Sequence, residues 1–222
     1  MEEEDIHQFE KPSVTADIVI FTIKDNDLKV LLVKRKIAPF KDTWALPGGF
    51  VRINESLEDA AKRELEEETG VKDVYLEQLY SFGDPKRDPR GRVITIPFLA
   101  LIDGEKVKLH ASSDAEFAKW HSAYSLPQLG FDHKKIIDDA LKHLRSEIEN
   151  TNIAFQIMPE KFTLSELQRA YEIILDKKLD KRNFRKKLKE LNILEQLFET
   201  KMEGAHRPAK LYSFKEKEYK ML

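Results

Sequence analysis

Three glutamates on one predicted helix constrain this sequence more than any other feature does. Ser56 is a preferred N-cap residue, and Gly70 stands where a helix commonly ends. Between them, Glu64, Glu67 and Glu68 are spaced i, i+3 and i+4, so a helix places the three carboxylates on one face. Like charges gathered in this way are unfavourable unless a cation offsets them. The spacing therefore predicts a site for a hard divalent ion bound by oxygen ligands, and Mg²⁺ suits it best if phosphates complete the coordination shell.

The loop before this helix extends the same pattern. Gly48 and Gly49 allow a close approach of the backbone, so the Gly49 carbonyl is a candidate further ligand. Glu55 and Arg63 carry opposite charges at the two ends of the loop and helix, where an ion pair would fix the loop. A solvated acidic helix face is the alternative interpretation. The pattern specifies nine positions between 49 and 71, which makes a chance cluster the weaker explanation.

Composition excludes several classes of protein. The 222 residues are enough for one large domain or two smaller ones. The chain has no cysteine, which excludes disulfide frameworks, thiolate zinc sites and cysteine nucleophiles. No apolar run approaches the ~20 residues of a membrane span, and the acidic start MEEED lacks the features of a secretory signal. We therefore expect a cytoplasmic protein with no membrane partner.

Charge is divided unevenly along the chain. Residues 151–222 carry 16 basic and 11 acidic side chains, a net charge of +5, whereas residues 1–150 carry −7. Opposite net charges indicate two modules with different partners. We predict an acidic leader at 1–12, a first domain at 13–149 and a second domain at 150–222.

Apolar periodicity predicts a first domain of the α/β class. Five strands are expected, at 14–23, 28–35, 74–79, 93–102 and 116–120. The glutamate helix lies between the second and the third of them, which indicates layers of strands and helices. Pro97 would break a central ladder, so it suggests an edge strand or a bulge at that point. Asp132 is expected to cap a later helix, which is followed by a linker at 149–159.

Positions 46–71 match the Nudix box, from the Leu46-Pro47-Gly48-Gly49-Phe50 loop to the end of the glutamate helix. The chain therefore resembles a Nudix hydrolase over about residues 12–130. The resemblance implies an α/β/α sandwich with a mixed sheet, in an enzyme that cleaves nucleoside diphosphates linked to another group. In such enzymes the box binds Mg²⁺ or Mn²⁺, which polarise the diphosphate and activate a water molecule.

The same resemblance implies roles for individual residues. The metal ligands and catalytic groups would be, in order of preference, Glu64, Glu68, Glu67 and the Gly49 carbonyl. Glu55 and Arg63 would support the box. A general base often lies outside the box on a later loop, where Glu116 and Asp114 are candidates, although each also suits a plain surface position.

A loop dense in proline, aspartate and arginine follows at 81–92. Its cations would lie near an anionic substrate, and the candidate contacts are Arg87, Arg90 and Arg92. An exposed loop without a ligand is an equally good interpretation from residue types alone. The stretch resembles the corresponding loop of Nudix proteins that handle ADP-ribose and of their regulator relatives, which makes ADP-ribose the leading ligand. Phe50 or Phe82 could stack on adenine, and each suits the core equally well.

The C-terminal part predicts a winged helix-turn-helix domain. Thr163 and Glu166 form a capping box, and Asp180 caps the next helix, which is apolar on one face and basic on the rest. Two apolar segments around Gly204 predict a hairpin. In such a motif the second helix enters the major groove and the wing binds the phosphate backbone. The candidate contacts to double-stranded DNA are Lys181, Arg182, Asn183, Arg185, Lys186 and, near the wing tip, Arg207.

A basic helix by itself is more often a solvated face, so the order of elements decides the interpretation. Residues 162–167, 180–185 and 207–212 resemble the winged helix of the Nudix-related, NrtR-type transcriptional regulators. The first hypothesis is a homodimeric regulator of NAD or sugar metabolism that binds ADP-ribose, hydrolyses it with Mg²⁺, and binds DNA. The second is a housekeeping ADP-ribose pyrophosphatase whose C-terminal domain serves dimerisation. DNA affinity that falls steeply with salt would favour the first.

Overall fold

The computed structural model describes residues 10–70, 72, 74–103, 118–202 and 208–216. In this part of the chain, a seven-stranded sheet forms the N-terminal domain and a three-stranded sheet belongs to the C-terminal domain. No helix within these ranges is long and apolar enough to cross a membrane.

The N-terminal sheet is built around its first strand. β1 (Ser13–Lys24) runs parallel to β6 (Val93–Leu101) and antiparallel to β2 (Asp27–Lys34). The shorter strands are β3 (Trp44–Ala45), β4 (Gly48–Phe50), β5 (Tyr75–Gln78) and β7 (Ala118–Ser122). β3 and β7 pair with β2, β4 pairs with β1, and β5 pairs with β6. The sheet is therefore mixed, as the family resemblance implies.

One helix covers each face of this sheet. Successive side chains of a strand point to opposite faces, so β1 supplies two cores. Ile18 and Ile20 share an apolar cluster with α1 (Leu57–Thr69), and Phe21 shares another with α2 (His133–Asn150). All three side chains are completely buried. The predicted α/β/α sandwich is confirmed.

The capping residues predicted from the sequence are confirmed for α1 but not for α2. The Ser56 hydroxyl accepts from the Asp59 N–H (3.1 Å), and Gly70 ends α1 in the left-handed conformation, with φ 72°. Asp132 occupies the N-cap position of α2, but its side chain makes no capping hydrogen bond. The prediction of a capping role was wrong, because its carboxylate accepts from the Arg87 guanidinium instead.

One strand prediction also needs correction. Pro97 lies in an interior strand, since β6 stands between β1 and β5, so the edge-strand alternative is wrong. The bulge alternative agrees with the pairing, because Gln78 lies opposite Phe98 whereas Phe82 pairs with Thr95, a register shift of one residue beside Pro97. The ladder tolerates the missing N–H because β5 ends opposite Phe98, and the Pro97 carbonyl accepts from the Leu79 N–H (2.8 Å). The strand expected at 116–120 is β7, which begins at Ala118 as described, while 116 and 117 lie outside the described residues.

The C-terminal domain has the element order of a winged helix-turn-helix. α3 (Leu164–Leu175) and α4 (Lys181–Leu191) are joined by a short turn. β9 (Leu194–Lys201) and β10 (Ala209–Phe214) form the wing, and β8 (Phe162–Thr163) pairs with β10. The predicted hairpin is confirmed, and so is the capping box at the start of α3.

One apolar core runs through both domains. Leu144 and Ile148 of α2 belong to the same cluster as Leu167 and Ile174 of α3 and Phe214 of β10. α2 therefore packs against both the first sheet and the winged helix. The boundary predicted at 149 and 150 falls at the last turn of α2 and stays a prediction.

Candidate functional site

An ion pair fixes the loop before α1. Arg63 donates from Nη2 to Glu55 Oε1 (2.7 Å) and from Nε to Glu55 Oε2 (2.9 Å). Arg63 also donates to the Phe50 carbonyl (3.2 Å), and Glu55 accepts from the Arg52 N–H (2.7 Å). The hydrogen bonds from Arg63, and then the one from Arg52, lower the pKa of Glu55 to about 2. The glycine loop is thereby bound to the helix that carries the glutamates.

The Glu64 carboxylate lies directly against the backbone of Gly49. A Cβ atom placed on Gly49 would lie 2.2 Å from Glu64 Oε1, far inside van der Waals contact. A larger residue at this position would push the Glu64 carboxylate away from the loop. Arg63 Nη1 donates to the same oxygen (2.6 Å), and the Glu64 side chain is buried. The Glu64 carboxylate therefore lies beside the glycine loop, and the role of the Gly49 carbonyl as a ligand stays a prediction.

Glu68 lies between Gly48 and other acids. Its Oε2 accepts from the Gly48 N–H (3.0 Å), and a Cβ on Gly48 would lie 2.8 Å from Asp17 Oδ1. Burial raises the pKa of Glu68 to about 7, with help from the negative charges of Glu64 and Asp17 and against the hydrogen bond from Gly48. Asp17 is itself buried and accepts from Thr95 Oγ1 (2.6 Å). Negative charge is therefore concentrated beside the glycine loop.

These groups fit a hard divalent cation through two glutamates rather than three. Glu64 and Glu68 present oxygen donors beside the loop. Burial of Glu68, together with the negative charges of Glu64 and Asp17, raises its pKa, so a bound cation would stabilise its charged form. Glu67 is half-exposed and lies 3.4 Å from Arg63 and 3.6 Å from Arg52. Among the described residues, no group of three acidic, histidine or cysteine side chains is arranged to hold a metal ion. Glu67 would have to leave its arginine partners to complete such a group.

The arginines of the loop after β5 lie in three different environments. Arg87 is buried and donates from Nε and Nη2 to the two oxygens of Asp132 (3.1 and 2.8 Å). Arg90 forms a forked pair with Asp88 (2.7 Å), and its side chain is 40% exposed. Arg92 is exposed and donates to a carbonyl within its own loop. Arg87 therefore binds the loop to the start of α2, a geometry that does not favour its predicted contact with substrate.

Arg35, which belongs to no motif, completes the site. Its guanidinium carbon lies 4.8 Å from the ring centre of Phe131, while that of Arg90 lies 5.5 Å from the same ring and 5.3 Å from Phe50. Burial lowers the pKa of Arg35, as does the positive charge of Arg90, whereas acids that include Glu68 act in the opposite direction. Two cations close to one another and next to acidic groups are suited to a metal-bound diphosphate. Phe50 as a whole is 46% exposed, with the Arg90 guanidinium over its ring.

α4 presents a basic face away from the core. Asp180 caps it by accepting from two N–H groups of its first turn (2.8 and 3.1 Å). Phe184 is buried, with its ring centre 5.1 Å from that of Tyr171 on α3. Lys187 faces the first domain and donates to the Glu149 carbonyl (3.0 Å). The predicted DNA contacts on this helix are all exposed, namely Lys181, Arg182, Asn183, Arg185 and Lys186.

Two family models match this chain. The model of the NUDIX domain matches residues 12–140, and the model of the NrtR DNA-binding winged helix domain matches residues 154–214. The chain belongs to the Nudix family. Its Nudix domain is followed by an NrtR-type winged helix, which confirms the resemblance that the sequence motifs indicate.

Individual relatives show the same combination. The chain is 38% identical over 215 residues to the ADPR responsive transcriptional repressor NtrR of Acinetobacter baylyi, covering 95% of this chain and 85% of the relative. The crystal structure of Shewanella oneidensis NrtR complexed with a 27mer DNA superposes with a TM-score of 0.81 at 35% identity, covering 91% of this chain and 93% of that one. The Nudix domain alone resembles the ADP-ribose pyrophosphatase of Methanocaldococcus jannaschii, at 44% identity over 131 residues, covering 59% of this chain and 74% of the relative.

We expect Glu68 to make the stability of the Nudix domain depend on pH. Its folded pKa of about 7 lies above the value of 4.5 for an unperturbed glutamate, so the folded state binds more protons between those pH values and its stability falls as pH rises through them. We expect a Glu68→Gln variant in metal-free buffer to be more stable than the unmodified chain by up to roughly 3 kcal/mol at pH 8. The difference in unfolding free energy between the two proteins should disappear below about pH 4.5. Urea unfolding at both pH values tests this, and equal stability at pH 8 would contradict the assigned environment.

The sequence did not single out three residues of this Nudix site: Asp17, Arg35 and Phe131. One feature of the sequence could have indicated Asp17, because it is the only charged residue in the apolar run 14–23. No local pattern indicated that Arg35 and Phe131 belong to the site. Arg35 follows β2 and Phe131 precedes α2, so only the fold brings them together. Asp114, Glu116 and Arg207, which the sequence also proposes, lie outside the described residues.

Proposed function

We propose that this protein is a transcriptional regulator whose Nudix domain binds ADP-ribose and whose winged helix binds operator DNA. The observation that carries the proposal is the presence, in one chain, of an acidic and arginine-lined site and an exposed basic helix. The relative described as an ADPR responsive repressor aligns with 95% of the chain, so the likeness covers both modules.

Glu64, Glu68 and the Gly49 carbonyl would hold Mg²⁺ or Mn²⁺ in the Nudix domain. A bound cation of this kind polarises the diphosphate and lowers the pKa of a water molecule. Glu64 is already held against the glycine loop, and Glu68 ligates after it loses its proton. Glu67 is half-exposed and lies near Arg52 as well as Arg63, so we rank it last of the three glutamates.

Arg90 and Arg35 would bind the phosphates of the ligand. Their guanidinium carbons lie 4.8 and 5.5 Å from the centre of the Phe131 ring, and charge-assisted hydrogen bonds to phosphate are among the strongest in proteins. The ring of Phe50 would stack on adenine. Arg87 supports this arrangement by binding the loop to Asp132. Arg92 remains a candidate contact with the ligand.

We include hydrolysis of ADP-ribose in the proposal because no specified residue of the Nudix box is altered. Glu55 and Arg63 hold the loop in place, so that Glu64 and Glu68 keep a fixed position relative to the diphosphate. Glu116 is our first candidate for the general base that takes a proton from the attacking water, and Asp114 is the second.

α4 would act as the recognition helix. In helix-turn-helix proteins the N-terminal residues of this helix contact base edges, which gives Arg182, Asn183 and Arg185 the best placement for reading sequence. Lys181 and Lys186 would bind phosphates, as would Arg207 of the wing. We expect a homodimer, because proteins of this kind usually bind two half-sites.

A housekeeping ADP-ribose pyrophosphatase is the second candidate function. The 44% identity of the Nudix domain to the Methanocaldococcus jannaschii enzyme favours it. In that case the C-terminal domain would serve dimerisation, and the cations of α4 would be solvated.

A duplex shift assay separates the two functions. The duplex is first selected by the protein from a pool of random sequences, and binding is then measured with and without ADP-ribose. We expect tight binding that weakens with salt, with roughly one unit of log–log slope for each phosphate contact, and release by ADP-ribose. Hydrolysis of ADP-ribose without any DNA binding would instead support the housekeeping enzyme.

A further inference from the structure

The first turn of α2 is bound to the nucleotide site. Asp132 accepts both hydrogen bonds of Arg87, and the buried His133 accepts from the Leu46 N–H through Nδ1 (2.9 Å). Phe131, directly before them, lies beside the guanidiniums of Arg35 and Arg90. A ligand that draws the two arginines towards its phosphates therefore acts on the residues that hold the start of α2.

The last turns of α2 are bound to the winged helix. Arg145 Nε donates to the Ile174 carbonyl at the end of α3 (2.9 Å). The Tyr124 hydroxyl, in the segment between β7 and α2, shares its one proton between the same carbonyl (3.1 Å) and that of Ile173. Carbonyls in the last turn of a helix lack partners within the helix, so the two side chains supply partners at the end of α3. We call Tyr124 and Arg145 the clamp.

A second set of bonds reinforces this end of α2. Glu149 forms an ion pair with Lys177 in the turn between α3 and α4 (2.7 Å), and its carbonyl accepts from Lys187 on α4 (3.0 Å). The recognition helix is therefore bound directly to the helix that begins at the nucleotide site.

α3 also contacts the first domain at a second place, away from α2. Arg169 of α3 donates to Asn26 in the turn between β1 and β2 (3.4 Å). Clefts of about 460 and 430 Å³ lie beside this contact, and both are lined by Asn26 and Arg169. On this side open clefts lie between the described parts of the winged helix and the sheet, whereas on the α2 side Arg145, Glu149 and Lys187 join the two domains.

We propose that α2 and the clamp transmit the occupancy of the nucleotide site to the recognition helix. The inference rests on the proposed function and names the regulatory connection of the same site. Eighteen residues make α2 about 27 Å long, so a small tilt at its first turn displaces α4 at the other end. A ligand releases DNA only if it binds one of two domain arrangements more tightly than the other. α2 contacts both the nucleotide site and the winged helix, so it can couple a change at one to a change at the other.

The experiment measures coupling in the full-length protein. Anisotropy of the selected duplex gives the DNA affinity with and without saturating ADP-ribose in metal-free buffer, and the ratio is the coupling factor, of the order of 5–150 in typical allosteric proteins. Tyr124→Phe removes only a hydroxyl, and Arg145→Leu removes the guanidinium. We expect both variants to keep the DNA affinity of the unliganded protein, and the double variant to lower the coupling factor at least roughly fivefold.

Lys134→Met is the matched control, because it removes an exposed ion pair of the same helix, that with Asp138 (2.6 Å), away from the clamp. It should leave the coupling factor unchanged.

A normal coupling factor in the unmodified chain together with an unchanged factor in all clamp variants overturns the inference and leaves the proposed function standing. If ADP-ribose does not affect DNA binding by the unmodified chain, the proposed function fails, and the inference fails with it. Thermal melts identify any variant that does not fold, and Tyr124→Phe, the smallest change, then decides the outcome.

Discussion

We expect a Glu68→Gln variant to hydrolyse ADP-ribose roughly 10²–10³-fold more slowly than the unmodified chain at saturating Mg²⁺. The amide keeps the size of the side chain but removes the negative charge that would bind the cation. A metal that stabilises charge in the transition state contributes several kcal/mol, which corresponds to two or three factors of ten in rate. The rate of hydrolysis is measured from the release of AMP or ribose 5-phosphate. Binding of Mg²⁺ is measured by calorimetry.

Two neighbouring glutamates provide matched controls on the same helix. Glu66 is half-exposed and forms an ion pair with Lys72, so Glu66→Gln should hydrolyse at the normal rate. Glu67→Gln should have an intermediate effect, since Glu67 lies against Arg63 and Arg52 rather than beside Glu68. If Glu68→Gln and Glu66→Gln are equally active, the metal site is assigned to the wrong residues. Normal DNA binding by all three variants would show that the winged helix is unaffected.

The second large effect is expected on DNA binding, from a double Arg182→Ala/Arg185→Ala variant. Both side chains are exposed near the start of α4, which the Asp180 cap and the buried Phe184 hold in place. Each contact to a base or phosphate is worth about 1–3 kcal/mol, so we expect the affinity to fall roughly 100-fold. Where both contacts are to phosphates, the slope of log affinity against log salt should fall by about two units.

Lys187→Ala is the control for this variant, because it removes one positive charge from the same helix. Lys187 donates to the Glu149 carbonyl and faces the Nudix domain, so we expect less than about a threefold loss in affinity and an unchanged salt slope. Equal losses in the control and the double variant would mean that net charge alone attracts DNA. ADP-ribose hydrolysis should be normal in both proteins, since the two sites lie in different domains.

Local signals in the sequence predicted the elements of the fold and one half of the nucleotide site. Ser56 and Gly70 set the ends of α1 through interactions within a few residues, and the spacing of Glu64, Glu67 and Glu68 required only helical geometry. Asp132 shows where such signals fail. Its position before a helix indicated a cap, but the buried Arg87, which is distant in sequence, offered its carboxylate two charged hydrogen bonds.

The sequence by itself determined the family, the order of the two domains, the glutamates of α1 and the exposed cations of α4, because each depends on the pattern within one helix or loop. Only the tertiary structure decided which glutamates meet the glycine loop, that Arg35 joins Arg90 at Phe131, and that α2 binds both the nucleotide site and the winged helix. These contacts join residues from separate strands and helices. The packing of the sheet between α1 and α2 brings them together, and no local spacing encodes that packing.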